Sequence, residues 1–166
     1  RSFTSDFLRS AWPSLRDNIV RPALNTGNYT CDVFLGTSDE VLSSMRWQKI
    51  LKEVIPKDVF LYNRKQKAMS SQVGLFSHFL HDWWVSYGHS YQLVLVSRDD
   101  FVYDAGAFSA LFSCFDPLAV NVPECIGGCE CEQHSPLVSI SDLMHLFDAA
   151  LTPKLVDTLK LGAFCE

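Results

Sequence analysis

The hydrophobic pattern alternates along the chain between helical spacing and short apolar runs. Residues 3–24 carry apolar side chains at helical spacing and predict a first helix. Pro13 either begins this helix or kinks it, and the sequence leaves both alternatives open. The apolar run 31–37 is followed by polar residues, which is typical of a strand that leads to a helix cap.

The same alternation continues as far as residue 96. The next predicted elements are a helix over 41–54, a strand over 59–62, a helix from Ser70 or Ser71 to about Tyr87, and a strand over 91–96. Helices and strands that alternate with short links favour a parallel sheet covered by helices. We therefore expect an α/β fold, Rossmann-like, with a mainly parallel sheet and helices on both faces.

The expected sheet lacks its first strand, which would precede Arg1. We therefore expect residues 1–166 to form a single α/β domain and to be a fragment of a longer chain. The remaining predicted elements are a helix over 105–115, a strand over 117–122, a loop over 123–136, a strand over 137–142, a helix over 143–151 and a final helix from Thr152.

Charged residues follow the strand over 91–96 at once. Five of its six residues are apolar, which predicts a buried parallel strand. Open α/β sheets bind ligands at the carboxyl ends of their strands, and carboxylate oxygens are the usual ligands of Mg²⁺ and similar ions. Asp99 and Asp100 are therefore candidate ligands of Mn²⁺ or Mg²⁺, with Asp104 as a further oxygen donor. The alternative is that these acids only solvate the strand end.

Composition and charge narrow the class of partner. The chain is 48% apolar and 20% charged, which is typical of a globular protein. Its net charge is −5, and the basic residues are scattered apart from the stretch 64–67. Binding to a phosphate backbone requires a basic face, so we do not expect nucleic acid as a partner. No apolar run is long enough to span a bilayer, so no membrane span is expected in this segment.

Cysteines and a glycosylation sequon favour an oxidising compartment. Asn28-Tyr29-Thr30 is the acceptor pattern for N-linked sugar. The six cysteines are Cys31, Cys114, Cys125, Cys129, Cys131 and Cys165. Together these features predict a disulfide-containing glycoprotein of the secretory pathway or Golgi lumen. Zinc bound by the last loop, with His134 as a ligand beside three cysteines, is the alternative to disulfides there.

Short motifs in the chain resemble a loose group of glycosyltransferase-like proteins with an A-type nucleotide-sugar-binding fold. The resemblance lies in the stretches 18–24, 31–35 and 91–100. These proteins typically open with a strand that leads into a Gly-x-x-Arg-x-Phe turn, and Arg1 and Phe3 match the end of that turn. The resemblance extends over nearly the whole chain, although each motif is short.

A second motif of the group is Tyr-Asp-x-Val-x-x-x-Arg-Pro-Asp, which Arg98 and Asp100 match. Asp99 replaces the usual Pro, which creates an acid pair better suited to a metal ion, and Gln92 replaces the usual Asp inside the strand. The stretch 139–147 is similar to a later strand of the group, in which an Asp precedes a helix beyond the donor site.

The resemblance implies transfer of a sugar from a nucleotide-diphosphate donor to a hydroxyl of a glycan or protein acceptor, assisted by Mn²⁺ or Mg²⁺. Arg1, Arg98, Asp99 and Asp100 would then contact the donor, and the two acids would hold the metal. Arg98 could equally pair with a neighbouring acid and hold the loop.

Asp142 is the candidate catalytic residue, as a base in an inverting transfer or as a contact to donor or acceptor. Its alternative role is a helix N-cap. A different function is also open, because a fold does not fix an activity. The chain could be a non-catalytic glycosyltransferase-like domain that serves as a structural or interaction module in a larger assembly.

Overall fold

The computed structural model of the protein describes most of the chain. The described residues are 7–38, 45–62, 72–98, 100–113, 115–120 and 144–162. They form a mixed α/β fold with two two-stranded sheets, one parallel and one antiparallel. The predicted α/β class is therefore confirmed.

Five helices and four strands make up the described fold. Helix α1 consists of four consecutive segments, Phe7–Ala11, Trp12–Leu15, Arg16–Val20 and Arg21–Asn25; the others are α2 (Met45–Val54), α3 (Gln72–Tyr87), α4 (Ala107–Ser113) and α5 (Thr152–Gly162). The strands are β1 (Phe34–Ser38), β2 (Asp58–Tyr62), β3 (Leu93–Ser97) and β4 (Met144–Asp148). Short 3₁₀ turns follow α3 and precede α5, at Gly88–Ser90 and Ala149–Leu151.

Helix α1 continues through two prolines. Proline lacks the backbone N–H and its ring crowds the preceding turn, so it usually kinks or ends a helix. In α1 a wide π-helical segment lies before each proline: Phe7–Ala11 before Pro13, and Arg16–Val20 before Pro22. Because π turns use a longer hydrogen-bond spacing, the helix can continue past the missing donors. Pro13 therefore lies within the helix and does not begin it.

The first sheet is the parallel pair that the alternating pattern predicted. β1 and β2 pair in register, with Phe34 opposite Asp58, and α2 lies on the connection between them. On one face, Leu35 and Val59 pack against a core formed with α1 and α2. The buried residues of that core are Trp12, Trp47, Ile50 and Val54.

The other face of this sheet packs against α3 through aromatic rings. Phe60 lies 5.5 Å from Phe79, and Phe34 lies 6.1 Å from Trp83, both edge to face. Gly36 lies beneath the ring of Phe79, and a Cβ built there would be 2.9 Å from Cδ2 of that ring. The close approach of α3 to β1 therefore requires glycine at this position.

The second sheet corrects the prediction for the strand over 91–96. β3 pairs antiparallel with β4, with Leu93 opposite Asp148 and Ser97 opposite Met144. The side chains of β3 are half-buried rather than fully buried. The sequence favoured a parallel partner because β3 follows a helix–strand alternation, but its partner strand lies about fifty residues further along the chain.

β4 also corrects the helix predicted over 143–151. Leu146 and Phe147 are both almost fully buried, but they face opposite sides of the sheet. Leu146 packs with Tyr103 and Leu111, whereas Phe147 packs with α3 and α5. A strand covered on both faces shows no alternation of polar and apolar residues, so a short apolar run does not distinguish it from a helix.

The two sheets lie between shared helices. α1 packs on one side of both, through Trp12 beside β1–β2 and Ile19 beside β3–β4. α3 packs on the opposite side of both, through Phe79 beside β1–β2 and Leu80 beside β3–β4. The described strands therefore have helices on both faces, as the sequence predicted.

The other predicted elements lie partly within and partly outside the described residues. The helix over 105–115 is confirmed as α4, whereas residues 117–120 of a predicted strand form a turn in which Ala119 N donates to Asp116 O. The predicted loop over 123–136 and strand over 137–142 lie outside the described residues. Among the described helices, none combines the length and apolar character needed to cross a bilayer.

Candidate functional site

The carboxyl end of β3 carries the described part of the predicted donor site. The Arg98 guanidinium donates from Nε to Asp100 Oδ1 (2.9 Å) and from Nη2 to Asp100 Oδ2 (2.8 Å). Two parallel bonds of this kind give a charged pair a fixed orientation. A backbone bond from Phe101 N to Arg98 O (3.4 Å) closes the turn around the pair. The sequence left open whether Arg98 pairs with an acid, and in the structure it does.

The pair lies at the surface and can be reached by a ligand. The side chains of Arg98 and Asp100 are 33% and 57% exposed. An ion pair with this exposure contributes about 0–1 kcal/mol to stability, because solvent screens its charges. The pair therefore fixes the orientation of two side chains at the strand end and contributes little to the stability of the fold.

Three of the predicted site residues lie outside the described residues: Arg1, Asp99 and Asp142. Within the described part of the chain, no group of three or more His, Cys, Asp or Glu side chains is arranged to hold a metal ion. Asp104, the further oxygen donor, lies within the described residues and is exposed. Of the acid pair Asp99 and Asp100, the structure places Asp100. Each of its two oxygens accepts one bond from Arg98, and a carboxylate oxygen has a second lone pair to offer.

His145 is a residue at this end of the sheet that the sequence did not single out. β4 runs antiparallel to β3, so its first residues lie beside the last residues of β3, with His145 opposite Val96. The imidazole is 2% exposed and stacks on Phe76 of α3 at 5.4 Å. A histidine within an apolar run carries no spacing signal, so the sequence alone could not have assigned it to the site.

The loop that follows the Arg98–Asp100 pair is attached to α1. Tyr103 N donates to Ser14 Oγ (3.0 Å), and Asn18 Nδ2 donates to Tyr103 O (2.6 Å). The Tyr103 side chain is buried, and this burial raises the pKa of its hydroxyl to about 12. The loop after Asp100 is therefore fixed by hydrogen bonds to α1 and by the buried side chain of Tyr103.

A second polar group lies at the opposite end of the strands; we call Asp32, Lys57 and Tyr91 the amino-end cluster. Asp32 Oδ2 accepts from Lys57 Nζ (2.7 Å) and from the Tyr91 hydroxyl (2.5 Å), and Lys57 Nζ also donates to that hydroxyl (2.8 Å). The three residues come before β1, β2 and β3 respectively. Their partners are 25 to 59 residues apart in sequence, so no motif could reveal the cluster.

The charges of the amino-end cluster are satisfied internally. Hydrogen bonds from Lys57 and Tyr91 lower the pKa of the Asp32 carboxyl. The bonds that Lys57 donates to Asp32 and to the Tyr91 hydroxyl raise the pKa of its ammonium. Burial and the bond to Asp32 raise the pKa of Tyr91. These shifts keep Asp32 and Lys57 charged and Tyr91 neutral near pH 7, so the cluster joins strand ends and offers no poised acid or base.

A similar bond links α3 to the second strand. The Tyr87 hydroxyl donates to Asp58 Oδ2 (2.8 Å), and the other oxygen of Asp58 accepts from Val59 N (2.7 Å). The bond to Asp58 raises the pKa of Tyr87. The amino ends of β1, β2 and β3 are thus joined by polar contacts.

Cys31 is the only cysteine among the described residues, and its thiol is not in a disulfide. Partial burial and the neighbouring Asp32 carboxylate raise the pKa of this thiol, so little thiolate forms near pH 7. The other cysteines and the alternative zinc ligand His134 lie outside the described residues.

Comparisons of the chain with models of protein families, with curated proteins and with solved structures found no match. The resemblance to glycosyltransferase-like proteins therefore rests on short motifs. The function has to be inferred from the strand ends themselves, where the Arg98–Asp100 pair is the part of the expected donor site that the structure describes.

Proposed function

We propose that the protein transfers a sugar from a nucleotide-diphosphate donor to a hydroxyl of a glycan or protein acceptor. The observation that carries the proposal is the Arg98–Asp100 pair, which lies exposed at the carboxyl end of β3. This is the end of a strand at which α/β folds bind nucleotides. The proposal includes a Rossmann-like arrangement, in which the carboxyl ends of β1 and β2 and of β3, which pairs with β4 in the second sheet, contribute to one nucleotide site.

Arg98 would act on the leaving diphosphate. Sugar transfer forms a bond between the acceptor oxygen and the anomeric carbon and breaks the bond from that carbon to the diphosphate. The diphosphate leaves with the electron pair, so its negative charge grows in the transition state. A guanidinium fixed in orientation by Asp100 can stabilise that charge without reorganising, provided that it faces the donor.

Asp100, together with Asp99, would supply oxygen ligands to Mn²⁺ or Mg²⁺. Asp100 can keep both bonds to Arg98 and still offer one lone pair on each oxygen. When bound, such an ion neutralises charge on the diphosphate. The chain's own contribution is to hold the carboxylate and the guanidinium side by side on one turn.

Asp142 would accept the proton of the acceptor hydroxyl if the transfer inverts. Support comes from its place in the sequence, two positions before Met144, because Met144 pairs with the last residue of β3. Arg1 would contact the diphosphate, as the motif resemblance implies. The sequon and the cysteines favour the secretory pathway or Golgi lumen as the compartment in which this reaction takes place.

Calorimetric titration with a panel of nucleoside diphosphates, with and without Mn²⁺, tests the proposal. We expect one nucleotide to bind in a metal-dependent manner, and Asp100→Asn to weaken that binding about tenfold or more, since a charged contact is worth about 1.5–3 kcal/mol. Asp157→Asn, which changes an exposed carboxylate on α5, is the matched control and should bind as the wild type does.

The second candidate is a non-catalytic glycosyltransferase-like domain that serves as a structural or interaction module. The Arg98–Asp100 ion pair also supports this candidate, because the two side chains neutralise each other's charge without any ligand. Absence of binding to every nucleotide, with circular dichroism confirming that the protein is folded, would reject the transferase and favour this module.

A further inference from the structure

Residues 26–30, which follow α1, form an exposed turn that takes no part in the amino-end cluster or in the Arg98–Asp100 pair. Thr26 closes the end of α1: its Oγ1 donates to Ala23 O (2.8 Å) and accepts from Asn28 N (3.2 Å). Gly27 has a φ of 73°, in the left-handed region where side chains with a Cβ are strained. A Cβ built on Gly27 would meet no atom within 4 Å, so the space around the turn is open.

The residue in the middle of the sequon anchors this turn to the fold. Asn28, Tyr29 and Thr30 follow Gly27 directly. The Tyr29 ring lies 6.2 Å from Phe108, edge to face, and 5.4 Å from Phe112, both on α4. Contacts of this geometry are favourable for aromatic rings, so Tyr29 gives the sequon a fixed position on the surface.

The two residues of the sequon that a glycosylating enzyme recognises are both accessible. Asn28 and Thr30, on either side of Tyr29, are exposed. Within the described residues, the side-chain amide of Asn28 makes no hydrogen bond that would have to break before reaction. Of the five asparagines in the sequence, Asn28 is the one followed by the x-Ser/Thr pattern.

We propose that Asn28 carries an N-linked glycan. Its Nδ2 forms a bond to the anomeric carbon of a lipid-diphosphate-linked oligosaccharide, and the bond from that carbon to the diphosphate breaks. The lipid diphosphate leaves with the electron pair, and the amide proton passes to a base of the transferring enzyme. The exposed turn between α1 and β1 leaves room for the sugar, whereas the buried faces of α1 and β1 do not. The inference is independent of the proposed sugar transfer at the carboxyl end of β3.

The test is production of the chain behind a cleavable signal peptide in eukaryotic cells, followed by intact mass measurement. We expect one glycan on the wild type, on Thr30→Ser and on the control Asn25→Gln, which changes an exposed asparagine outside the sequon. Asn28→Gln and Thr30→Ala should carry none. A peptide N-glycosidase should release the glycan from the folded protein and leave Asp at position 28, because the site is exposed.

An appended C-terminal Asn-Gly-Thr tag reports entry into the lumen. A chain that is glycosylated at the tag while Asn28 stays unmodified would overturn the proposal.

Discussion

Gly36 shows how a single missing side chain sets the spacing between a helix and a strand. An added Cβ would lie 2.9 to 3.3 Å from three atoms of the Phe79 ring, which itself packs against Phe60. Overpacking of this kind typically destabilises a protein by about 1–3 kcal/mol. We expect Gly36→Ala to lower the free energy of unfolding by that amount in urea denaturation.

A double variant tests the cause of that loss. Phe79→Leu removes the ring edge that the new methyl group would meet, so Gly36→Ala should be less destabilising in its presence than in the wild type. If the two effects simply add, the contact with Phe79 is not the reason for glycine at this position.

Ile55 is a residue whose backbone conformation suits another side chain better. It follows α2, has a φ of 51° and is 79% exposed, and its N–H donates to Leu51 O at 3.0 Å. This is the helix-ending bond in which Gly or Asn is usual, since the left-handed region strains other residues by about 1–2 kcal/mol. We expect Ile55→Asn to raise the free energy of unfolding by about 1 kcal/mol.

The matched control keeps the branched side chain. Ile55→Val has the same strain at Cβ and should show no gain in thermal or chemical denaturation. A gain in both variants would point to the loss of exposed apolar surface rather than to backbone relief.

The amino-end cluster gives the stability a defined pH dependence. Asp32 has a lower pKa in the folded protein than in the unfolded chain, chiefly because of its bond from Lys57. The unfolded chain therefore takes up protons first as the pH falls, and the stability from Asp32 is present above the ordinary Asp pKa of about 3.9 and lost below it. We expect the difference in melting temperature between the wild type and Asp32→Asn to shrink as the pH falls from 7 through this value.

The control for this experiment is Asp157→Asn, which changes an exposed carboxylate without such partners among the described residues. Its melting temperature should differ from that of the wild type by a similar small amount at each pH. Salt should reduce the Asp32 effect, because the cluster is partly exposed.

At the scale of elements, β4 is the strand that the sequence could not predict. The helices follow from periodicity, because each has an apolar face, and the parallel pair β1–β2 follows from short apolar runs that alternate with helices. In β4 three successive residues, His145, Leu146 and Phe147, are all buried, and the apolar run then fits a helix equally well. The choice is made by tertiary contacts with β3, α4 and α5, which no local pattern contains.

Truncation of Phe147 tests how much β4 contributes to the stability of the fold. It is fully buried, and Val94, Leu155 and Leu159 are among the residues packed with it. We expect Phe147→Ala to lower the free energy of unfolding by about 3–5 kcal/mol, from lost burial and the cavity left behind. Phe147→Leu, which keeps most of the volume, should lower it clearly less; equal losses in urea denaturation would contradict tight packing at this position.

At the scale of the whole molecule, the sequence predicted the layers better than the connections between them. Alternating helices and strands indicated helices on both faces of the strands, and the placement of α1 and α3 agrees. The candidate site was predicted in the same partial way. The strand end with Arg98 and Asp100 could be found from the sequence, because charge follows an apolar run. His145 could not, because only the pairing of β4 with β3 brings it to that end.

Helix α1 connects the candidate site to the rest of the molecule through the backbone of Tyr103. Asn18 Nδ2 donates to Tyr103 O at 2.6 Å, and this part-buried carbonyl would lose that bond in Asn18→Ala. Leaving such a group without its bond costs about 1–3 kcal/mol, so the loop after Asp100 should open more often. We expect faster amide hydrogen exchange in residues 100–106 and, under the proposed function, weaker binding of the nucleotide. Ser109→Ala, an exposed change on α4, should leave both unchanged. Faster exchange with unchanged nucleotide binding would separate the loop from the donor site, and unchanged exchange would show that α1 does not hold the loop.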